Sequence, residues 1–150
     1  MPLVIRPAAV ADAPIVTAFN AQLALESEHK KLDPDVLAPG VLAALGDPDR
    51  ARYFVADEDG HVVGQMMLTR EWSDWRNGWI WWIQSVYVRN DRRRHGVFRA
   101  LYEHVRRTAR SEGVVGLRLY VEQENHAAQE VYRRLGMQRS GYLVLEECPL

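Results

Sequence analysis

The sequence has few of the features that mark disulfide-bonded, membrane-bound or metal-binding proteins. Cys148 is its one cysteine, so no disulfide can form within the chain, and a reducing, cytoplasmic environment is expected. No run approaches the ~20 apolar residues of a membrane-spanning helix, and the start of the chain lacks a charged-then-apolar signal pattern. The five histidines do not have the spacing of metal ligands. We therefore expect neither a membrane partner nor a metal.

An excess of positive charge is also missing, since 19 Lys and Arg face 20 Asp and Glu for a formal net charge of -1. Proteins that bind nucleic acids need a basic surface to neutralise phosphates. The overall charge thus argues against a nucleic-acid partner, despite the short run Arg92–Arg94. No repeat, linker or low-complexity stretch is present in the 150 residues, which predicts one domain spanning 1–150 with its own core.

The hydrophobic pattern predicts a mixed α/β fold with a central, largely antiparallel sheet, in the order β-α-α-β-β-β-α-β-α-β. Predicted strands cover 4–7, 52–56, 61–72, 79–88, 115–122 and 141–145. Predicted helices cover 12–31 and 34–45, with an interruption near Pro39-Gly40, and two more begin at about 97 and 126. Asn77-Gly78 predicts a two-residue hairpin turn, because both residues tolerate positive φ.

A short basic turn connects the strand at 79–88 to the helix that begins at Val97. It reads Arg93-Arg94-His95-Gly96. Gly96 has no Cβ, so the backbone there can approach a ligand closely. The first N–H groups of a helix lack internal partners, and the helix dipole favours negative charge at that end. The turn therefore predicts a phosphate site.

A second pattern, N-x-x-A-x-x-x-Y-x-x-x-G, covers residues 125–136. Asn125 suits a helix N-cap and Gly136 a left-handed stop. Tyr132 follows Asn125 by seven residues, about 10 Å along one helix face, and Ala128 leaves room on that face. Alternatively, this is an ordinary capped helix in which Tyr132 is a half-buried aromatic residue.

Together, the turn R-R-H-G-V-F at 93–98 and this helix resemble the GCN5-related N-acetyltransferase (GNAT) superfamily over roughly residues 77–145. The resemblance implies an acetyl-CoA-dependent enzyme that moves an acetyl group to a primary amine directly, through a tetrahedral intermediate. It also implies a sheet that splays after its fourth strand and opens a slot for the thioester arm. Phe98 departs from the family pattern, which has a small residue there, and we expect its side chain to point into the core.

The resemblance also implies roles for individual residues. Tyr132 would protonate the leaving thiolate, and a bulge in the fourth strand would free the N–H of Val86 for the developing oxyanion. The cofactor-binding residues implied are Val86, Val88, Arg93, Arg94, His95, Gly96, Val97, Phe98, Arg99, Asn125, Ala128 and Tyr132. The alternative is a non-catalytic CoA-binding or regulatory module on the same fold.

The acceptor would be a small-molecule or peptide amine that must lose its proton before it attacks. Gln84 stands where some relatives have a Glu on the fourth strand. The candidate bases acting through water are Glu26, Glu28 and Glu122.

Acids beside aromatic rings also suit a cationic amine, and Trp72 and Trp75 lie near Glu71 and Asp74 in the sequence. The tryptophan-rich segment equally fits core packing or a dimer seam. Its three tryptophans at 79, 81 and 82 cannot all face one side of a strand. Some of this aromatic surface would then be covered by a partner chain, which suggests a homodimer.

Overall fold

The computed structural model describes residues 2–150, which form two compact units. The first unit ends at Leu119 and contains a five-stranded sheet with three α-helices. The second, Tyr120–Leu150, contains the fourth helix. None of the helices in 2–150 is both long enough and apolar enough to cross a bilayer.

The elements follow the predicted order up to the fourth helix. They are β1 (Leu3–Pro7), α1 (Ala13–Glu28), α2 (Pro34–Leu45), β2 (Arg52–Glu58), β3 (His61–Ser73), β4 (Gly78–Val88), α3 (Val97–Ser111), β5 (Gly116–Leu119) and α4 (His126–Arg134), with short 3-10 turns at Val10–Asp12 and Asn90–Arg92. The strands lie side by side in chain order. Neighbours are antiparallel from β1 to β4, and β5 runs parallel to β4. The predicted mixed α/β, largely antiparallel architecture is confirmed.

Helices cover both faces of the sheet, and the alternation of side chains along β2 shows how. Tyr53 and Val55 join a buried cluster with residues of α1 and α2, including Val16 and Val41. Phe54, between them in the chain, packs its ring 5.1 Å from that of His104 on α3. Because successive strand residues point to opposite faces, α1 and α2 lie on one side and α3 on the other.

The predicted last strand is wrong, since residues 141–145 belong to no strand. Their apolar side chains are largely exposed, Leu143 by 84% and Leu145 by 92%. The segment has the composition of a strand, but a strand also needs a neighbouring one to satisfy its backbone. Composition alone does not supply that neighbour.

The predicted hairpin turn is also corrected. Ser73 pairs with Gly78, so the loop between β3 and β4 has four residues, 74–77. Asn77 takes the positive φ, at 49°, while Gly78 does not. Gly78 is required for packing instead, because a Cβ there would collide with the side chain of Val115.

Two helix predictions and one strand prediction need smaller corrections. α2 continues through Pro39 without the expected interruption, although a proline inside a helix removes one backbone hydrogen bond. α1 ends at Glu28 rather than Lys31, since His29 turns left-handed with φ 54°. β5 stops at Leu119, three residues before the predicted end.

Candidate active site

β4 contains a bulge at the position that the family resemblance predicts. Gln65 of β3 pairs with Tyr87 and Met67 pairs with Gln84, so Ser85 and Val86 both stand opposite Met66. Ser85 has a left-handed backbone with φ 50°. An extra residue in one strand disrupts the ladder and leaves backbone groups unpaired at that point.

A buried chain of polar side chains reaches this bulge from α1 and β2. Gln65 is fully buried, and its Nε2 donates to the Ser85 carbonyl at 3.0 Å and to Asn20 Oδ1 at 2.9 Å. Asn20 Nδ2 in turn donates to the Tyr53 hydroxyl at 3.1 Å.

The other amide atom of Gln65 is unusual. Its Oε1 is buried, and it has no hydrogen-bond partner in the described part of the chain. An unsatisfied buried acceptor costs about 1–3 kcal/mol. Stability alone therefore does not explain a glutamine here. Sequence reasoning overlooked Gln65, although a lone amide within the apolar run Val62–Leu68 was a visible signal.

Past the middle of β4, one edge of the strand is left without a ladder. The pairing with β5 ends at Ile83 and Leu119, whereas β4 continues to Val88. Among the described residues, β5 is the last strand of the sheet on that side. The bulge and the half-buried Val86 and Val88 therefore lie in the part of β4 that no longer pairs with β5.

The turn after β4 has the backbone of an anion site. Arg94 and Gly96 take positive φ values of 66° and 79°, and His95 Nδ1 lies 2.9 Å from the Arg93 carbonyl. Gly96 is the N-cap of α3, and no side chain caps the helix. A Cβ built at Gly96 would meet nothing within 4 Å. A diphosphate thus fits here, with space beside the glycine and the N-terminal N–H groups of α3 as donors.

The side chain of Arg93 is used within the protein. Its Nε donates to the Val88 carbonyl at 3.0 Å and its Nη2 to Glu26 Oε1 at 2.7 Å. The Tyr87 hydroxyl donates to the other Glu26 oxygen at 2.8 Å. Arg93 therefore fixes the turn to the end of β4 and to α1, although its side chain is 41% exposed. Arg94 and Arg99 are also exposed.

These contacts bear on the candidate bases. The hydrogen bond from Arg93, and then that from Tyr87, lower the pKa of Glu26, which makes this carboxylate a weaker base. Glu28 is exposed and lies 3.7 Å from Lys30. On β4, Gln84 Nε2 donates to the Thr69 hydroxyl at 2.5 Å.

The first turn of α3 contains Phe98, the bulky residue at a position where the family pattern has a small one. Val97 is buried, and its side chain packs where a Cβ on Gly64 would lie. Phe98 is half-buried, with its ring 6.2 Å from that of Tyr102. The ring therefore packs beside Tyr102, but it is only half-buried rather than placed within the core.

On the hairpin, arginines of the protein itself lie over several tryptophan rings. Arg70 lies 4.5 Å from the centre of the Trp79 ring, and Arg118 lies 5.9 Å from that of Trp82. Trp72 meets Trp79 edge-on and stays 50% exposed, while Trp75 in the loop is 87% exposed. Trp72 and Trp75 thus remain accessible to other molecules.

The second unit contains the predicted capped helix. Asn125 Oδ1 accepts the Ala128 N–H at 3.1 Å, and Gly136 ends the helix with φ 99°. Tyr132 is half-buried, and burial raises the pKa of its phenol. Before the helix, Glu122 Oε2 accepts the Glu124 N–H at 3.0 Å.

Comparison with known families gives the assignment. The model of the Acetyltransferase (GNAT) family matches residues 17–137. The chain belongs to the GNAT acetyltransferase family. Members of this family use acetyl-CoA. No curated protein matches the sequence significantly.

Solved structures agree with a GNAT fold over the whole chain. A "possible acetyltransferase" from Clostridium difficile 630 is 42% identical, with a TM-score of 0.94 over 100% of this chain and 99% of its own. An integron cassette protein from the mobile metagenome of Cole Harbour Salt Marsh is 25% identical, with a TM-score of 0.84 over 97% and 90%. A predicted acetyltransferase with acetyl-CoA from Clostridium acetobutylicum is 16% identical, with a TM-score of 0.80 over 97% and 96%, and shows the fold alone.

Proposed function

We propose that this GNAT protein is an acetyl-CoA-dependent N-acetyltransferase that moves an acetyl group directly to a primary amine through a tetrahedral intermediate. The observation that carries the proposal is the turn before α3. A left-handed Gly96 with open space beside it leads into a helix whose N-terminus no side chain caps. Such a backbone suits the diphosphate of coenzyme A.

Binding of the acyl donor is assigned to three segments. The turn would hold the diphosphate through its backbone from Arg93 to Arg99, and the open edge of β4 would hold the pantetheine arm at Val86 and Val88. The family resemblance adds Asn125, Ala128 and Tyr132 of the second unit. Acetyl-CoA supplies the acyl group as an activated thioester.

The chemistry then needs two groups of the protein. As the amine nitrogen attacks the carbonyl carbon, the N–H of Val86 would stabilise the oxyanion, a contribution of about 2.7–4 kcal/mol for one such donor. When the carbon–sulfur bond breaks, Tyr132 would give its proton to the thiolate. A phenol carries its proton at neutral pH, as a general acid must, and burial raises the pKa of Tyr132 further.

The proton of the incoming amine would leave through water to a carboxylate. The partners of Glu26 argue against it as the base, so we propose Glu28 or Glu122, with Gln84 positioning the acceptor. The exposed Trp72 and Trp75 would contact a small-molecule or peptide amine. If neither Glu28→Gln nor Glu122→Gln changed the acid limb of the pH–rate profile, both residues would be excluded as the base.

Replacement of Tyr132 by Phe tests the catalytic assignment. Release of CoA thiol from acetyl-CoA is followed with a panel of primary amines. We expect Tyr132→Phe to lower kcat by about 10²–10⁴-fold, the usual contribution of general acid catalysis, with a far smaller effect on CoA binding because the aromatic ring is kept. The exposed Tyr142 gives the matched control Tyr142→Phe, which should keep full activity.

Two outcomes would contradict the assignment. Equal kcat in wild type and Tyr132→Phe would exclude Tyr132 as the acid. Binding of CoA by the wild type without turnover of any amine would favour a non-catalytic CoA-binding module.

Two further proposals concern the state of the protein in the cell. The exposed tryptophans of the hairpin support a homodimer in which a second copy covers part of the hairpin. Light scattering that gives the mass of a single 17.2 kDa chain would contradict it. The single cysteine supports a cytoplasmic location, which fractionation of the native host would test.

A further inference from the structure

At the bulge in β4, one peptide group contains both a carbonyl that Gln65 binds and the N–H proposed to bind the oxyanion. The carbonyl of Ser85 and the N–H of Val86 belong to the same peptide group, which is planar and trans. In a trans peptide the C=O and the N–H point in opposite directions. Whatever fixes the Ser85 carbonyl therefore also fixes the direction of the Val86 N–H.

Gln65 fixes that carbonyl. Its Nε2 donates to the Ser85 oxygen at 3.0 Å. The Val86 N–H consequently points away from the Gln65 amide, at a place where β4 has no ladder with β5. A hydrogen bond to the carbonyl also polarises the peptide and strengthens its N–H as a donor.

The side chain of Gln65 is itself held firmly. Asn20 Oδ1 accepts the second Nε2 hydrogen at 2.9 Å, and the Tyr53 hydroxyl accepts from Asn20 at 3.1 Å. Gln65 is fully buried and Asn20 is nearly so. The unpaired Gln65 Oε1 shows that the residue keeps this arrangement although half of its amide lacks a partner.

We propose that Gln65 is a positioning residue, which aims and polarises the Val86 N–H at the oxyanion of the acyl transfer, and that Asn20 supports it. This inference rests on the proposed function. It predicts that Gln65 acts on the transition state and leaves the affinity for the acyl donor unchanged, because only the developing oxyanion needs the aimed N–H.

The test replaces Gln65 by Met, which has a similar length and no donor. We expect kcat to fall about 10- to 100-fold, as for a small misplacement of a catalytic group, with the KM for acetyl-CoA and the Kd of CoA unchanged. In ¹⁵N-labelled protein the amide resonance of Val86 should shift without any substrate. Asn20→Ala should give a smaller loss of kcat of the same kind, and it decides the question if Gln65→Met does not fold.

A core variant separates positioning from simple loss of stability. Val105→Ala on α3 also removes buried atoms from the core, and it should lower the melting temperature while kcat at 25 °C and the Val86 resonance stay as in wild type. Unchanged kcat in folded Gln65→Met, or an equal loss in Val105→Ala, would overturn the proposal. If the wild type turned over no amine, the proposed function would fail, whereas an unmoved Val86 resonance would contradict the positioning by Gln65 itself.

Discussion

At the scale of single residues, one carboxylate near the start of the chain has an unusually well-defined environment. The two oxygens of Asp12 accept from Arg6 at 2.8 and 3.0 Å, and one also accepts the Ala9 N–H at 2.7 Å. The side chain of Asp12 is mostly buried. The hydrogen bonds from Arg6, followed by that from Ala9, lower the pKa of Asp12 below its ordinary 3.8 although burial opposes them.

This lowered pKa predicts an acid dependence of stability. A carboxylate whose pKa is lower in the folded state stabilises the fold above its unfolded pKa, and it loses that effect as the pH falls through the folded pKa. The free energy of unfolding should therefore fall as the pH drops below about 4. Asp12→Asn should lower this free energy by about 1–3 kcal/mol at pH 7 and flatten the decline in acid.

Urea unfolding between pH 2 and pH 7 measures both effects. Asp49→Asn is the matched control, because the Asp49 side chain is 83% exposed in its pair with Arg70 and such pairs contribute about 0–1 kcal/mol. Curves for Asp12→Asn and wild type that stay parallel throughout this range would show that Arg6 does not hold Asp12 as described.

At the scale of elements, the packing of α3 on the sheet depends on a glycine in β3. A Cβ on Gly64 would lie 2.9 Å from Val97 Cγ1, 3.2 Å from the Tyr87 carbonyl and 3.4 Å from Leu101 Cδ1. The first turn of α3, whose N–H groups form part of the proposed phosphate site, therefore packs directly on the backbone of β3.

Gly64→Ala should move this helix end. We expect a loss of about 1–3 kcal/mol from overpacking, together with weaker CoA binding because the N–H donors shift. Gly116→Ala is the control, since its Cβ would meet Ile80 Cγ1 at an ordinary 3.8 Å. Chemical denaturation and calorimetry give the two quantities, and equal stability of the two variants would refute the close packing of α3.

The same elements show what local sequence can and cannot predict. Asn125, Gly136 and Gly96 act on the backbone of their own segment, so short motifs predicted the helix cap, the helix stop and the glycine turn. The requirement for a glycine at position 78 comes from Val115, whose side chain lies close to it only in the folded sheet. A local pattern predicts a turn at Asn77-Gly78, but it contains no information on that distant contact.

At the scale of the whole molecule, the order of the elements was predictable because each strand and helix has its own hydrophobic period. The network through Gln65 was not, because Asn20, Tyr53 and Ser85 are distant in the sequence and meet only in the fold. The predicted strand at 141–145 was wrong for a related reason. Its composition favours a strand, but no strand of the sheet pairs with it within residues 2–150.

The central claim is that the turn before α3 holds the diphosphate of acetyl-CoA, and calorimetric titration with CoA tests it most directly. Gly96→Glu is compared with Gly60→Glu, since both glycines have φ near +80° and open space beside them, while Gly60 lies in the turn between β2 and β3. Backbone strain should then destabilise the two variants similarly. We expect Gly96→Glu to bind CoA at least about tenfold more weakly, because the added side chain brings bulk and negative charge to the phosphate. Gly60→Glu should bind CoA as the wild type does. Wild-type affinity in Gly96→Glu would contradict the central claim.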